Sequence, residues 1–274
     1  MKIKLVALDI DGTILNSEGE LSTATEEAVA KVKQRGISVV LATGRRLART
    51  LPWAEALNLK GPLIVHNGAV VFDQEKKETV LKKGIDFKSA QEIIEQLNQA
   101  KINYLVYTGE SAGENLIAPY YTTPEFEELM LRYMGEAGQK VRKMELGEGP
   151  IRISVIDQRE KINPFYKSLS RFEQKINAMF FGAGRSRWRG VEIVSGGCSK
   201  GTGLLYVAER QKVKQKEILA IGDNINDLEM ITWAGVGVAM GGGSSLLQKR
   251  ADFVAPGSSR DGAAWILNEL LLKK

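Results

Sequence analysis

The stretch Lys4-Leu5-Val6-Ala7-Leu8-Asp9-Ile10-Asp11-Gly12-Thr13 decides how this chain is read. Lys4 to Leu8 is a short apolar run of the kind that forms a strand buried on both faces. Two carboxylates two residues apart follow it, and then a glycine that lets the backbone turn. The pattern puts two acids and free backbone N–H groups at one strand tip. A hard cation takes oxygen ligands of this kind. Of two such acids, one can attack an electrophile while the other moves a proton. By itself Asp-x-Asp is read equally well as a turn or a helix cap.

Outward from this strand, the first third of the chain alternates strand and helix. Ser22 to Gln34 reads as a helix with Ser22 as N-cap and Gly36 just past its end. Ile37 to Ala42 is a second buried strand, and Arg45 to Leu57 is helical in pattern despite Pro52. Leu63 to Val65 is a third strand, and Val70 to Phe72 with Thr79 to Leu81 forms a hairpin. The last third repeats the grammar: helix Gly201 to Arg210, strand Glu217 to Ile221, helix Asp227 to Trp233, strands Val236 to Ala239 and Phe253 to Val254, and helix Asp261 to Leu272. Such alternation implies an α/β fold, a doubly wound, Rossmann-like parallel sheet covered on both faces.

The middle of the chain differs in texture. Ser89 with Glu92 resembles a capping box opening a helix, and Pro124 to Met134 and Asn163 to Gln174 are further helices. Ile102 to Thr108, Ile151 to Ile156 and Ala178 to Phe181 are strands of a second sheet, with glycine-rich loops around 135–149 and 182–190. The expected organisation is a discontinuous core, 1–83 and 191–274, with an inserted α+β cap at 84–190.

Composition narrows the function classes. Hydrophobic residues make up 43% and charged residues 26% of the 274, an ordinary balance for a folded globular chain. No apolar run approaches the roughly 18 to 20 residues that span a membrane, and no cleavable leader is evident. The net charge of +5 comes from 38 basic and 33 acidic residues spread along the chain, unlike the concentrated stripe of a nucleic-acid binder. Cys198 is the only cysteine and His66 the only histidine. A disulfide within one chain and a Cys/His zinc cluster are therefore ruled out, and a reducing cytoplasm is expected. The partners expected are a small anionic molecule, with no nucleic acid and no membrane; the oligomeric state is left open.

Three more segments follow strand ends, the edge where open α/β sheets bind ligands. Thr43-Gly44-Arg45 offers a hydroxyl and a glycine N–H at a helix start, a phosphate cradle or an ordinary cap. Lys200 opens a helix, where a cation is disfavoured by the dipole unless an anion lies close; a solvated surface lysine is the alternative. Gly222-Asp223-Asn224-Ile225-Asn226-Asp227 places two acids four residues apart, suited to holding or orienting a metal beyond what one cap needs.

In order, strand context and spacing, the four segments resemble the haloacid dehalogenase-like hydrolase superfamily. LDIDGT and GDNINDLEM resemble its Cof-type branch, whose cap is inserted between the second and third motifs. The resemblance implies a Mg²⁺-dependent phosphatase acting on a small phosphorylated metabolite, such as a sugar or cofactor phosphate. It casts Asp9 as nucleophile and Asp11 as general acid and then base. Thr43 and the Gly44 amide would hold the transferring phosphoryl group, Lys200 would neutralise it, and Asn226 would contact phosphate or an adjacent substrate oxygen. Asp9, Asp223 and the Asp11 carbonyl would bind Mg²⁺, with Asp227 supporting them. The second aspartate argues against a dehalogenase, while a hexose phosphomutase and a non-catalytic phosphometabolite-binding module stay open.

Some positions are individual. His66-Asn67-Gly68-Ala69 stands where the branch often has a small residue followed by Asn-Gly-Ala, so Asn67 is a candidate to line the substrate cleft or simply to shape a turn. Gly242 and Gly243 stand where the family often has asparagine, which bears on positioning near Asp223. Arg185-Ser186-Arg187-Trp188-Arg189-Gly190 makes Arg187 and Arg189 candidates for gripping a second phosphate or stacking on a ring, or else a solvated basic loop.

Overall fold

The computed structural model describes residues 2–109, 115–134, 138–147, 149–181 and 187–273. The chain divides into two compact units, Met1–Leu81 with Ser199–Lys274, and Lys82–Cys198.

Among the described residues of the first unit, five parallel strands form a sheet in the order Phe253–Ala255, Val236–Met240, Ile218–Gly222, Leu5–Leu8, Ser38–Leu41. Leu5–Leu8 lies at its centre with all four side chains buried. It pairs in register with Ile218–Ile221 on one side and Ser38–Leu41 on the other. An apolar run without alternation forms this strand because both faces are covered. On one face Leu5, Ala7, Val40 and Ala42 pack with Leu204, Val207, Met230 and Ile231 from helices Lys200–Arg210 and Leu228–Trp233. Helices Thr23–Gln34 and Gly262–Leu267 pack on each other, the first also against Ser38–Leu41 and the second against Phe253–Ala255. The fold is α/β with a parallel-sheet core. Leu63–Val65 joins Val70–Asp73 and Glu78–Lys82 in a small antiparallel sheet, and bridges Ala42 through Ile64. No helix among the described residues is long and apolar enough to cross a membrane.

Local signals set most boundaries. Ser22 caps the first helix by accepting from the Thr25 N–H at 3.2 Å. Pro52 stays inside Leu47–Ala56 at its sixth position, past the first turn, so the helix forms there at the cost of one backbone hydrogen bond. In the second unit, the helix expected to open at Ser89 begins at Phe87, because Asp86 takes the Ser89 N–H at 3.0 Å and is the cap.

The second unit is a six-stranded sheet in the order Ile176–Phe181, Trp188–Ser195, Arg152–Gln158, Tyr104–Thr108, Asn115–Pro119, Gln139–Val141. Ile93, Leu97, Ile162 and Phe165 of helices Phe87–Gln99 and Arg159–Ser168 cover the face carrying Tyr104, Val106, Ile153 and Val191. The alternation of a strand sends Arg152 and Glu192 to the opposite face, where they pair at 3.2 Å with the Arg152 guanidinium 3.9 Å over the Tyr107 ring. Trp188–Ser195 is one uninterrupted strand paired with Arg152–Gln158, so a boundary at 190 and 191 falls inside it, and the unit ends at Cys198. The loops expected around 135–149 and 182–190 lie partly outside the described residues; Gln139–Val141 and Trp188–Gly190 are strand.

Candidate active site

The ends of Leu5–Leu8 and Ile218–Gly222 lie side by side, with the Asp9 N–H donating to the Ile221 carbonyl at 3.0 Å. Parallel register therefore carries Asp9 and Asp223 out of the sheet at the same edge. Gly12, at φ +76°, makes the close approach between their loops possible: a Cβ there would meet Asp223 Oδ2 at 2.4 Å. Carboxylate oxygens of Asp9, Asp223 and Asp227 lie within 4.8 Å of one another.

Lys200 is fully buried at the first position of its helix, where Ser199 and Thr202 form a reciprocal capping box. Its ammonium donates to Asp9 Oδ1 at 2.6 Å and to Asp227 Oδ1 at 2.7 Å. The anion that must lie close to a lysine at a helix N-terminus is this carboxylate pair. Asp227 also accepts from the Asp223 N–H at 3.1 Å and the Asn224 N–H at 3.0 Å through its other oxygen. One buried side chain thus orients the lysine and shapes the Asp223-Asn224 loop. The Asp223 carbonyl takes the Ser244 N–H at 2.7 Å, so the Gly242-Gly243 turn positions that loop through its backbone.

The charges are unbalanced, with three carboxylates around one ammonium. Burial, and after it the Asp227 carboxylate, hold Asp9 well above the ordinary carboxylate range against the opposing pull of Lys200. Burial and then Asp227 push Asp223 up to about 6. Burial pulls the Lys200 ammonium down, but Asp227 and Asp9 together outweigh it and leave it above its ordinary value. Three clustered oxygen donors with excess negative charge fit a hard divalent cation.

Asp11 stands apart from this cluster. Its side chain is 61% exposed and paired with Arg45, whose Nε donates to Oδ2 at 2.8 Å and Nη2 to Oδ1 at 2.6 Å. Arg45 lies 5.8 Å from the Trp53 ring centroid, one helical stretch further on. Its backbone N–H donates to Thr43 Oγ1 at 3.1 Å, and Thr43 is buried. The second motif is therefore tied to the first through an arginine that sequence reading quotes only as the third residue of Thr43-Gly44-Arg45. The usable signal was a cation beside the phosphate cradle, but no spacing rule pairs residues 34 apart.

Asn226 donates to Asn67 Oδ1 at 2.9 Å, and both sit among the motif loops. Arg187 and Arg189 lie in the second unit. Arg189 stacks 3.6 Å over Phe180 and donates to Asn163 at 2.6 Å, while exposed Arg187 lies 5.2 Å from the Trp188 ring. Arg185 and Ser186 fall outside the described residues.

The family model described as haloacid dehalogenase-like hydrolase matches residues 6–267. The chain belongs to this family. Among its haloacid dehalogenase-like relatives, the phosphatase YwpJ of Bacillus subtilis strain 168 is 30% identical over 98% of this chain and 100% of its own. The pyridoxal phosphate phosphatase YbhA of Escherichia coli strain K12 is 26% identical over 99% of this chain and 100% of its own. A solved haloacid dehalogenase-like hydrolase from Bacteroides thetaiotaomicron superposes with a TM-score of 0.84 at 25% identity, over 98% of this chain and 100% of that one.

Proposed function

We propose that the protein is a Mg²⁺-dependent phosphatase of small phosphorylated metabolites that works through a phosphorylated Asp9. The observation that carries this reading is the placement of Lys200 on Asp9 and Asp227 with Asp223 beside them, and a second carboxylate, Asp11, held two residues along. Relatives named as phosphatases, one of them for pyridoxal phosphate, support it.

An Asp9 oxygen attacks phosphorus, and the bond from phosphorus to the leaving oxygen breaks as Asp11 gives that oxygen a proton. Asp11 then takes a proton from water, whose oxygen attacks phosphorus, breaking the phosphorus–oxygen bond to Asp9, regenerating its carboxylate and releasing inorganic phosphate. Thr43 Oγ1, the Gly44 N–H and Asn226 orient the phosphoryl oxygens, and Lys200 offsets their charge. Asp9, Asp223 and the Asp11 carbonyl would hold Mg²⁺, with Asp227 fixing the loop. When bound, the ion supplies charge neutralisation between two anionic reactants. In the second unit Arg187 is exposed, whereas Arg189 is held by Phe180 and Asn163. A small organic phosphate in the cytoplasm, a sugar or cofactor phosphate, is the substrate class this reading takes.

The test is phosphate release from p-nitrophenyl phosphate and a panel of metabolite phosphates including pyridoxal phosphate, with Mg²⁺ or EDTA, for wild type and Asp9→Asn. Release that needs Mg²⁺ and vanishes in Asp9→Asn is expected. No release from folded wild type on any substrate overturns the reading.

A further inference from the structure

The turn His66-Asn67-Gly68 is costly for its length. Its three residues have φ of 50°, 51° and 85°, left-handed backbone in succession, a run that non-glycine residues rarely adopt. No strand connection demands this, since Leu63–Val65 and Val70–Asp73 are antiparallel neighbours that an ordinary turn would join. What the geometry secures is contact with three motif loops at once. The Asn67 N–H donates to the Thr43 carbonyl at 3.0 Å, and the His66 N–H to the Arg45 carbonyl at 2.9 Å. Gly68 lies so close to the N-cap of the Lys200 helix that a Cβ would fall 1.9 Å from the Ser199 carbonyl oxygen. Asn67 Oδ1 accepts the Asn226 amide at 2.9 Å.

Asn67 is about 1% exposed, whereas Asn226 is half-buried. A buried amide oxygen that holds the amide nitrogen of a neighbour fixes that neighbour's orientation and leaves its own oxygen facing a defined direction. We infer that Asn67 is a positioning residue, which acts on the phosphoryl group through Asn226, and that its turn sets the Thr43, Lys200 and Asn226 loops at one spacing. This inference rests on the phosphatase reading of the same site.

The substitution Asn67→Gly removes the side chain while suiting the left-handed backbone. Its effect on kcat/KM for p-nitrophenyl phosphate and on inhibition by inorganic phosphate is measured alone and with Asn226→Ala. In the wild-type background Asn67→Gly should weaken both by about 5- to 10-fold, the worth of one neutral hydrogen bond. In the Asn226→Ala background it should cost less than about twofold, because the group it orients is gone. Equal cost in both backgrounds overturns the inference, as does Asn67→Gly without effect. Should Asn67→Gly not fold, Asn67→Asp keeps the accepting oxygen and the backbone preference. There Asn226→Ala must cost as much as in wild type, and a smaller cost overturns the inference. An inactive wild type would instead bring down the phosphatase reading itself.

Discussion

Arg45 grips both carboxylate oxygens of Asp11 across 34 residues of sequence, at 2.8 and 2.6 Å. A bidentate fork fixes both the distance and the plane of the carboxylate. Asp11 needs that constraint because its side chain is the exposed one of the motif. Under the proposed mechanism Asp11 gives a proton and later takes one, which it can do only from a defined place.

Arg45→Met should therefore lower kcat/KM on p-nitrophenyl phosphate by about 10- to 100-fold, the scale of a misplaced catalytic group. The melting temperature should change little, because the pair is partly exposed and such pairs contribute about 1 kcal/mol or less. Arg45→Lys, which keeps the charge and loses the fork, should recover only part of the rate. Full activity in Arg45→Met would show that Asp11 needs no clamp.

Lys200→Met removes the one cation that, among the described residues, pairs with both buried carboxylates. Leaving buried charge unpaired costs about 3–5 kcal/mol. Urea unfolding in EDTA should show a loss of that size, together with loss of phosphate release. Unchanged stability would mean that water screens Asp9 and Asp227 far better than their burial suggests.

Asp223 contributes to the pH dependence of the metal-free protein, alongside Asp9, whose carboxyl is also raised by burial. The folded value of Asp223, about 6, lies above the ordinary 3.8. Between these the folded state binds more protons than the unfolded chain, so this contribution is complete below about pH 4 and is lost as pH rises through about 6. In EDTA the melting temperature should fall from pH 5 to pH 7 in wild type, and Asp223→Asn should make the fall smaller. Mg²⁺ should raise the wild-type melting temperature more at pH 7.5 than at pH 5, since cation and proton compete. A Mg²⁺ response that survives in Asp223→Asn would remove Asp223 from the ligand set.

The second unit has its own alkaline limit. Burial pushes the Cys198 thiol up to about 11 from 9.0, and burial raises Tyr104 and Tyr121 above their ordinary 10.0. The folded chain keeps protons that the unfolded chain releases, so stability is lost as pH climbs from about 9 through 11. Cys198 should resist a thiol-specific chromogenic reagent at pH 8 until denaturant is added. Rapid reaction of the native protein would show that its burial is not maintained in solution.

Asp9, Asp223 and Lys200 were legible in the chain because each follows a buried strand or opens a helix, and local periodicity marks those places. The apolar run Leu5 to Leu8 determines that a strand ends at Asp9, and Ile218 to Ile221 does the same for Asp223. That the sheet is parallel could be read from the strand-helix alternation, but the order of its strands could not. The resemblance of the four segments to one family set their roles. The helix start at Asp86 was obscured because Ser89 offers the same capping chemistry three residues later. The long strand Trp188–Ser195 was obscured because its glycine and arginines read as loop, whereas its pairing with Arg152–Gln158 is a contact between distant segments.

By itself, then, the sequence determined the parallel α/β core, the inserted unit and the carboxylates at the strand ends, since these depend on patterns a few residues long. Only the tertiary structure decided that Arg45 belongs to Asp11, that Lys200 bridges Asp9 and Asp227, and that Asn67 holds Asn226. Those pairs join residues 27 to 191 positions apart. Helical and strand periodicities extend over single elements and carry no information about which loops will meet. That is settled by strand order and by how closely the turns at Gly12 and Gly68 let neighbouring loops approach.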